Sequence, residues 1–173
     1  RRKNKAYLNG LSVAEVAAWA ERFVYDQLCQ RVRTAMRQRL REHQQSGDFV
    51  VFLSGTPDFI AARLARYLGA HAYCGTRMYI LNEHFTSHPP LRHPFGEDKL
   101  HLARDLSERH DLPLADAVAY GDSRYDLALL EKVGKAVAVY PDNKLENRAL
   151  EAGWEIIGER RGGRLRPAHN TRT

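Results

Sequence analysis

Apolar residues along this chain follow two patterns, one with helical spacing and one of short continuous runs. Ser12-Val13-Ala14-Glu15 has the form of a capping box, and the apolar residues after it recur at helical spacing, which predicts an amphipathic helix over 12–28. A second helical pattern covers about 31–44 and ends at Gly47. The run that follows, DFVVFL at 48–53, is β-branched and aromatic and predicts the first strand.

Strands and helices continue to alternate through the rest of the chain. In order, the patterns predict a helix starting at Pro57-Asp58, a strand and a β-hairpin within 70–86, a helix opening at 96–99, a strand and a helix within 117–130, a strand over 135–140, a helix over 145–152 and an edge strand over 154–157. Such alternation implies a mostly parallel sheet with right-handed crossovers. The predicted fold class is therefore α/β.

The segment AVAYGDSRYDLALL at 117–130 holds the strongest candidate chemistry. An apolar strand stops at Gly121-Asp122 and a helical pattern resumes four residues later, which is how α/β proteins present a carboxylate at the carboxyl end of a sheet. Asp122 and Asp126 are spaced i, i+4, so a helix beginning near Ser123 lets both carboxylates overlook one crevice. Two carboxylates suit Mg²⁺, which takes oxygen ligands. We therefore predict a magnesium site in this segment.

Two other stretches have the character of anion-binding groups. Ser54-Gly55-Thr56 connects the first strand to a helix, and free helix amides beside a hydroxyl make an anion pocket. Taken alone, a Ser54 or Thr56 helix cap explains that turn more simply. Lys99 stands in the first turn of a helix, where it opposes the macrodipole, which hints at an anionic partner, although an exposed lysine there is also ordinary.

Three histidines lie close together in the sequence, at His84, His88 and His93. Their spacing invites a metal site, but they belong to a proline-rich stretch with no fixed helical register. We therefore interpret them as surface histidines.

The charge of the chain is concentrated at its ends. The 173 residues carry 27 basic and 21 acidic side chains, a formal charge of +6. Nine of the basic residues lie in 1–5 and 160–173, which leaves 18 basic against 21 acidic residues in 6–159. A basic tail can bind polyanions or lipid headgroups, but a solvated terminus is the simpler interpretation. We expect no nucleic-acid partner.

The cysteine and hydropathy patterns indicate the cellular compartment in which the protein works. Cys29 and Cys74 are isolated, with no CxxC pair, which is typical of ordinary thiols in a reducing compartment such as the cytoplasm. The apolar runs are too short to span a bilayer, and no signal-peptide pattern opens the sequence. We expect no membrane partner.

Three segments, VVFLSGTPD, GEDK and AVAYGDSRYDLALL, occur in an order that resembles the haloacid-dehalogenase-like (HAD) phosphatase superfamily. The closer likeness, over most of 7–157, is to its phosphoserine-phosphatase-like branch, subfamily IB. The resemblance implies a three-layer, Rossmann-like, mostly parallel sheet with a helical cap inserted near the N-terminus. It divides the chain into a cap at 1–45 and an α/β core at 46–158, and the lack of periodicity after this core predicts a basic mobile tail at 159–173.

The resemblance also implies roles for individual residues. Ser54 and the Gly55 amide would hydrogen-bond the transferring phosphoryl group, with Thr56 beside them. Lys99 would neutralise its charge, and Asp122 would hold Mg²⁺. Asp126 would support the metal site, directly or through water. The implied activity is Mg²⁺-dependent hydrolysis of a small phosphorylated metabolite through a phospho-aspartyl intermediate, since phosphoryl transfer depends mostly on positioning and charge.

The sequence departs from this pattern in two places. It contains no Asp-x-Asp, and no apolar strand precedes the first helix, so the nucleophile and the first strand of the family are missing. We therefore expect a carboxyl-terminal portion of a longer protein, inactive alone, that needs the missing N-terminal segment to complete its sheet. The alternative is a non-catalytic relative that binds phosphate or a protein partner. Arg124-Tyr125 stands where relatives commonly have asparagine, which leaves the substrate contact there open.

Overall fold

The computed structural model describes residues 6–158 of the chain. The helices are α1 Val13–Phe23, α2 Thr34–Gln45, α3 Asp58–Leu68, α4 Glu97–His110, α5 Leu127–Leu130 and α6 Asn143–Ala152. The strands are β1 Val51–Pro57, β2 Ala72–Thr76, β3 Ile80–Leu81, β4 His84–Phe85, β5 Val118–Gly121, β6 Lys135–Val139 and β7 Glu155–Ile157. The predicted α/β class is confirmed, and each predicted helix and strand has a counterpart.

The first helix begins at the predicted capping box. The Glu15 amide donates to Ser12 Oγ at 3.2 Å, and the Glu15 carboxylate accepts from the Ser12 amide at 3.3 Å. The hydrogen bond from the Ser12 side chain holds the pKa of Glu15 below its usual value. Beyond α1 the chain continues as a π-helical segment over Val24–Leu28, so the predicted helix 12–28 is present but changes type.

The first strand is displaced from its predicted position. Residues 48–53 were the expected strand, whereas β1 begins at Val51 and stays beside β2 as far as Pro57, with an irregular register after Leu53. Close packing explains the extension, because a Cβ on Gly75 would lie only 2.5 Å from the Asp58 Cα. Glycine there lets β2 run directly against the start of α3, so the Ser54–Thr56 stretch is held alongside β2.

The parallel strands form two separate groups. β1 pairs with β2, and β5, β6 and β7 pair in that order, all in parallel. β3 and β4 form the predicted antiparallel hairpin, with Asn82 and Glu83 at positive φ in its turn. The prediction of mostly parallel pairing is confirmed, and the expected absence of the first strand leaves a gap: across the described residues, β1 and β5 are not hydrogen-bonded to each other. Within residues 6–158, β1 and β5 each have one edge without a partner strand.

Helices cover both faces of the three-stranded group. On one face, a core of small and aliphatic side chains packs β5 to β7 against α5 and α6; its buried members are Leu130, Ala136, Ala138, Leu145 and Ala149. On the other face, α2 is attached by polar contacts: Arg39 pairs with Glu155, and His43 Nε2 lies 2.7 Å from the Tyr120 hydroxyl. This is the predicted three-layer arrangement.

Two expectations concern parts that the structure does not test. The division into a cap at 1–45 and a core at 46–158 stays a prediction, and the tail at 159–173 lies outside the described residues. Between residues 6 and 158, none of the helices has the length and apolar character needed to cross a membrane.

Candidate active site

A cavity of about 330 Å³ opens where β1 and β5 end. Its lining residues are Ser54, Gly55, Thr56, Pro57, Pro94, Phe95, Lys99, Asp122, Ser123 and Tyr125. The carboxyl ends of parallel strands are where open α/β sheets bind ligands. Apart from Asp126, all of the site residues proposed from the sequence line this one cavity.

A larger cavity of about 580 Å³ lies beside the amino ends of β6 and β7. Its charged side chains already neutralise one another, since Arg148 pairs with Glu131 and Lys135 with Glu155. It holds none of the candidate residues, so the smaller cavity is the better candidate for chemistry.

The Ser54–Thr56 stretch is held by hydrogen bonds to its backbone. The Thr56 amide donates to Ser54 Oγ at 3.1 Å, so Ser54 Oγ accepts in this contact and does not use its own proton there. The buried Thr76 hydroxyl donates to the Gly55 carbonyl at 2.7 Å. The simpler interpretation, in which Ser54 or Thr56 caps the helix, is wrong, because Pro57 occupies the N-cap position of α3 and makes no side-chain cap hydrogen bond.

Lys99 has the anionic partner that its position in the first turn of α4 suggested. Its ammonium group forms an ion pair with Asp126 Oδ1, and the two side chains are only 17% and 6% exposed. The pair joins α4 to the turn after β5. Because Lys99 also lines the cavity, the ion pair fixes where its positive charge lies.

The Asp126 carboxylate does not line the cavity, whereas the sequence predicted that it overlooks the same crevice as Asp122. The carboxylate of Asp126 lies beneath the turn: Oδ2 accepts hydrogen bonds from the backbone amides of Asp122 and Ser123, both at 3.1 Å. The expected helix does not begin at Ser123; a 3-10 turn over Arg124–Asp126 comes first. A Cβ on Gly121 would be 2.6 Å from the Asp126 Cβ, so glycine is what admits this inward position.

Asp142 holds the same turn from the other side, and the sequence interpretation missed this role. Its amide donates to the Asp122 carbonyl at 3.0 Å, and its carboxylate accepts from the amides of Arg124 and Leu145 at 3.0 and 2.9 Å. Burial alone would raise the pKa of Asp142, but these backbone hydrogen bonds hold it below its usual value. The available signal was Pro141-Asp142 ahead of a helix, a typical N-cap pattern.

The donor set fits a magnesium ion held by one carboxylate. Mg²⁺ commonly binds one or two protein carboxylates and keeps several waters. Asp122 lines the cavity and can supply one, whereas both oxygens of Asp126 are engaged by Lys99 and by the turn. No group of three or more acidic, histidine or cysteine ligands occurs in the part of the chain that is described.

His93 is the histidine that the sequence interpretation misjudged. His84 and His88 are exposed, as expected, but His93 is buried, with 9% of its surface exposed. Its Nδ1 lies 2.7 Å from Thr76 Oγ1. Thr76 is 17 residues away in sequence, so only the tertiary packing reveals that His93 lies next to Gly55, one of the residues that line the cavity.

Together, the fold and the cavity define a Rossmann-like α/β protein with a hydroxyl, a lysine and a carboxylate gathered at one rim of its parallel strands. The chain belongs to the haloacid dehalogenase-like hydrolase family, whose model matches residues 1–131. This agrees with the resemblance seen in the sequence motifs.

Individual relatives show which members of the family the chain is similar to. The chain is 35% identical over 156 residues to phosphoserine phosphatase SerB1 of Mycobacterium tuberculosis, a match that covers 90% of this chain and 51% of that protein. It thus spans about half the length of this curated relative.

Solved structures share the fold. A Bordetella pertussis protein of unknown function superposes with a TM-score of 0.79 at 27% identity, covering 87% of this chain and 69% of that one. A phospho-aspartyl intermediate analogue of phosphoserine phosphatase superposes with a TM-score of 0.65 at 19% identity, covering 90% and 69%.

Proposed function

We propose that this chain supplies most of the active site of a phosphomonoester hydrolase that resembles phosphoserine phosphatase and acts on a small phosphorylated metabolite. The supporting observation is that Ser54, Lys99 and Asp122, far apart in sequence, line one cavity at the ends of parallel strands. Family membership and the phosphatase names of relatives agree with this proposal.

The polar residues of the cavity match the needs of phosphoryl transfer, which are positioning and stabilisation of charged oxygens. The Ser54 hydroxyl, whose oxygen already accepts from the Thr56 amide, donates its proton to a phosphoryl oxygen. The Gly55 amide is the proposed second donor to the same group. Lys99 balances its negative charge while Asp126 keeps the ammonium group in place.

Asp122 is the proposed ligand of Mg²⁺. When bound, the ion neutralises phosphoryl oxygens and orients them. Asp126 supports the metal site indirectly. Its carboxylate accepts from the backbone amides of Asp122 and Ser123 and so fixes the backbone position from which the Asp122 side chain extends.

The nucleophile is proposed to be an aspartate outside these 173 residues, which forms a phospho-aspartyl intermediate. The edges of β1 and β5 that are open within residues 6–158 support this idea, because the carboxyl end of β1 and the turn after β5 line the same cavity. A parallel strand added between these edges would satisfy their backbone groups and deliver a side chain from its carboxyl end into the cavity. This segment is the partner that the chain needs to complete its sheet.

The test is hydrolysis of an aryl phosphate by the full-length protein, with Mg²⁺ and with a chelator. Asp122→Asn and Lys99→Met should each lower kcat/KM by about 100-fold or more, the usual scale for a lost charge-stabilising group. Asp105→Asn, which changes an exposed carboxylate on α4, is the matched control and should leave turnover unchanged.

Two outcomes would contradict the proposal. Undiminished turnover in both site variants would remove the residue assignments. Phosphate binding without turnover by a correctly folded full-length protein would favour the alternative, a non-catalytic relative that binds phosphate or a protein partner.

A further inference from the structure

The cavity has two chemically different halves. Six lining residues supply aliphatic hydroxyl, amide, ammonium or carboxylate groups, whereas the other four are Pro57, Pro94, Phe95 and Tyr125, whose phenolic oxygen already accepts from Arg124. If the proposed function is correct, the polar half takes the phosphoryl group. The organic group bonded to the phosphate then lies against the apolar half.

Phe95 and Tyr125 give this half an aromatic character. Their ring centroids are 3.9 Å apart with 34° between the ring planes. Despite this contact, Phe95 is 39% exposed and Tyr125 is 36% exposed. Ligand sites commonly combine such apolar and aromatic surface with a few convergent polar groups.

The aromatic pair is attached to the interior through His93. The His93 and Phe95 rings stack at 5.4 Å with 14° between their planes, and Pro94 between them is fully buried. His93 Nδ1 bonds to Thr76 Oγ1, and the single hydroxyl proton of Thr76 is donated to the Gly55 carbonyl. His93 must therefore carry a proton on Nδ1.

This chain of contacts links the apolar wall to the backbone that forms the polar half. The same Gly55 whose carbonyl is held by Thr76 lines the cavity beside Ser54. The aromatic surface is therefore set at a fixed place relative to the phosphoryl position. A fixed surface can discriminate between leaving groups, because it does not have to be ordered when the substrate binds.

We propose that Phe95 and Tyr125 are specificity-determining residues that select phosphomonoesters whose alcohol carries an aromatic ring. This inference rests on the proposed function and deepens it by naming the substrate class. An aromatic ring can pack edge-to-face on the pair. The ammonium group of a free amino-acid ester would lose water against this wall without gaining an anionic partner from it.

The reaction itself is ordinary hydrolysis. The bond between phosphorus and the alcohol oxygen breaks, and the phosphoryl group passes to the proposed aspartate and then to water. The alcohol oxygen takes one proton and leaves as the free alcohol, and inorganic phosphate is the second product. The aromatic wall holds the alcohol and takes no part in bond breaking.

The experiment compares kcat/KM of the full-length protein for 2-phenylethyl phosphate, 2-cyclohexylethyl phosphate and O-phosphoserine. The first two have equal carbon number and similar leaving-group reactivity, so their ratio isolates aromatic character. We expect 2-phenylethyl phosphate to be preferred over O-phosphoserine by about tenfold or more, mainly through a lower KM. Its preference over the cyclohexyl ester should be about threefold.

Phe95→Leu and Tyr125→Leu test whether the wall is the source of this preference. Each keeps an apolar side chain and should bring the phenyl-to-cyclohexyl ratio to within about twofold of unity. Tyr73→Leu, which removes an aromatic ring on β2 that is 43% exposed and outside the cavity, is the matched control and should keep the wild-type ratio. Unchanged thermal unfolding of the variants excludes a folding defect as the cause.

The outcomes separate this inference from the proposed function. Hydrolysis of all three esters with equal kcat/KM, or a preference for O-phosphoserine, overturns the inference and leaves the phosphatase proposal standing. An aromatic preference that survives both leucine substitutions also overturns it. Hydrolysis of none of the esters overturns the proposed function, and this inference with it.

Discussion

Replacing Asp126 with asparagine tests how the cavity is held together. The carboxylate is 6% exposed and accepts from Lys99, from two backbone amides and from the Ser123 hydroxyl. Asparagine keeps only one acceptor oxygen, so its NH₂ group must face either the Lys99 ammonium group or the backbone amides of the turn. In both cases two hydrogen-bond donors face each other. Removing one partner of a buried ion pair costs about 3–5 kcal/mol, and we expect about 3 kcal/mol because Lys99 retains some contact with water.

The assay is urea unfolding followed by circular dichroism. With a slope of about 2 kcal/mol per molar urea, the midpoint should fall by about 1.5 M. Lys99→Met should cost less, because the Asp126 carboxylate keeps the hydrogen bonds from the turn. The double variant should cost less than the sum of the two single changes, since the two sites are in direct contact.

Asp105→Asn is again the matched control, and it should shift stability by no more than about 0.5 kcal/mol. An Asp126→Asn effect no larger than that of the control would refute this account of the pair. Strict additivity of the single variants would refute it as well.

Three other substitutions test the contacts that hold helix α1 and the turn after β5 in place. Ser12→Ala removes the cap of α1 and should cost about 1 kcal/mol in urea unfolding, whereas Ser12→Asp should retain most of the stability. Asp142→Ala should destabilise the protein at neutral pH. Because the pKa of Asp142 is lowered in the folded state, its carboxylate stabilises the fold above the ordinary pKa of 3.8, and this stabilisation is lost as the pH falls through the folded pKa. The difference in unfolding free energy between the variant and wild type should therefore shrink in acid. Gly121→Ala would bring a methyl carbon within 2.6 Å of the Asp126 Cβ and should lower the melting temperature by several degrees; an unchanged melting temperature would refute the close packing.

Local patterns were enough to predict most of the elements. The capping box at Ser12 and the continuous apolar run of β6 depend on neighbours in sequence, and both are confirmed. Lys99 was also informative, because a cation in the first turn of a helix is unfavourable unless an anion compensates it. Its partner is Asp126, at a sequence separation of 27.

The features that the sequence could not predict depend on tertiary contacts. The end of β1 is set by the approach of Gly75 to the start of α3, and the burial of His93 is set by Thr76. The direction of the Asp126 side chain depends on the space above Gly121 and on a turn that is tighter than the expected helix. The i, i+4 spacing predicted that Asp122 and Asp126 both face one crevice. In the structure the tighter turn leaves Asp122 in the cavity and places Asp126 beneath the turn.

The charge of the cavity explains why the proposed chemistry calls for a cation. Asp122 and Asp126 carry two negative charges against the one positive charge of Lys99, so the three side chains have a net negative charge before a substrate enters. Two unit charges about 4 Å apart interact by about 4 kcal/mol near a protein surface, so a phosphate dianion would be repelled. A divalent cation at Asp122 reverses the sign. The inward position of Asp126 serves the same end, because its charge lies against Lys99 and not against the phosphoryl oxygens.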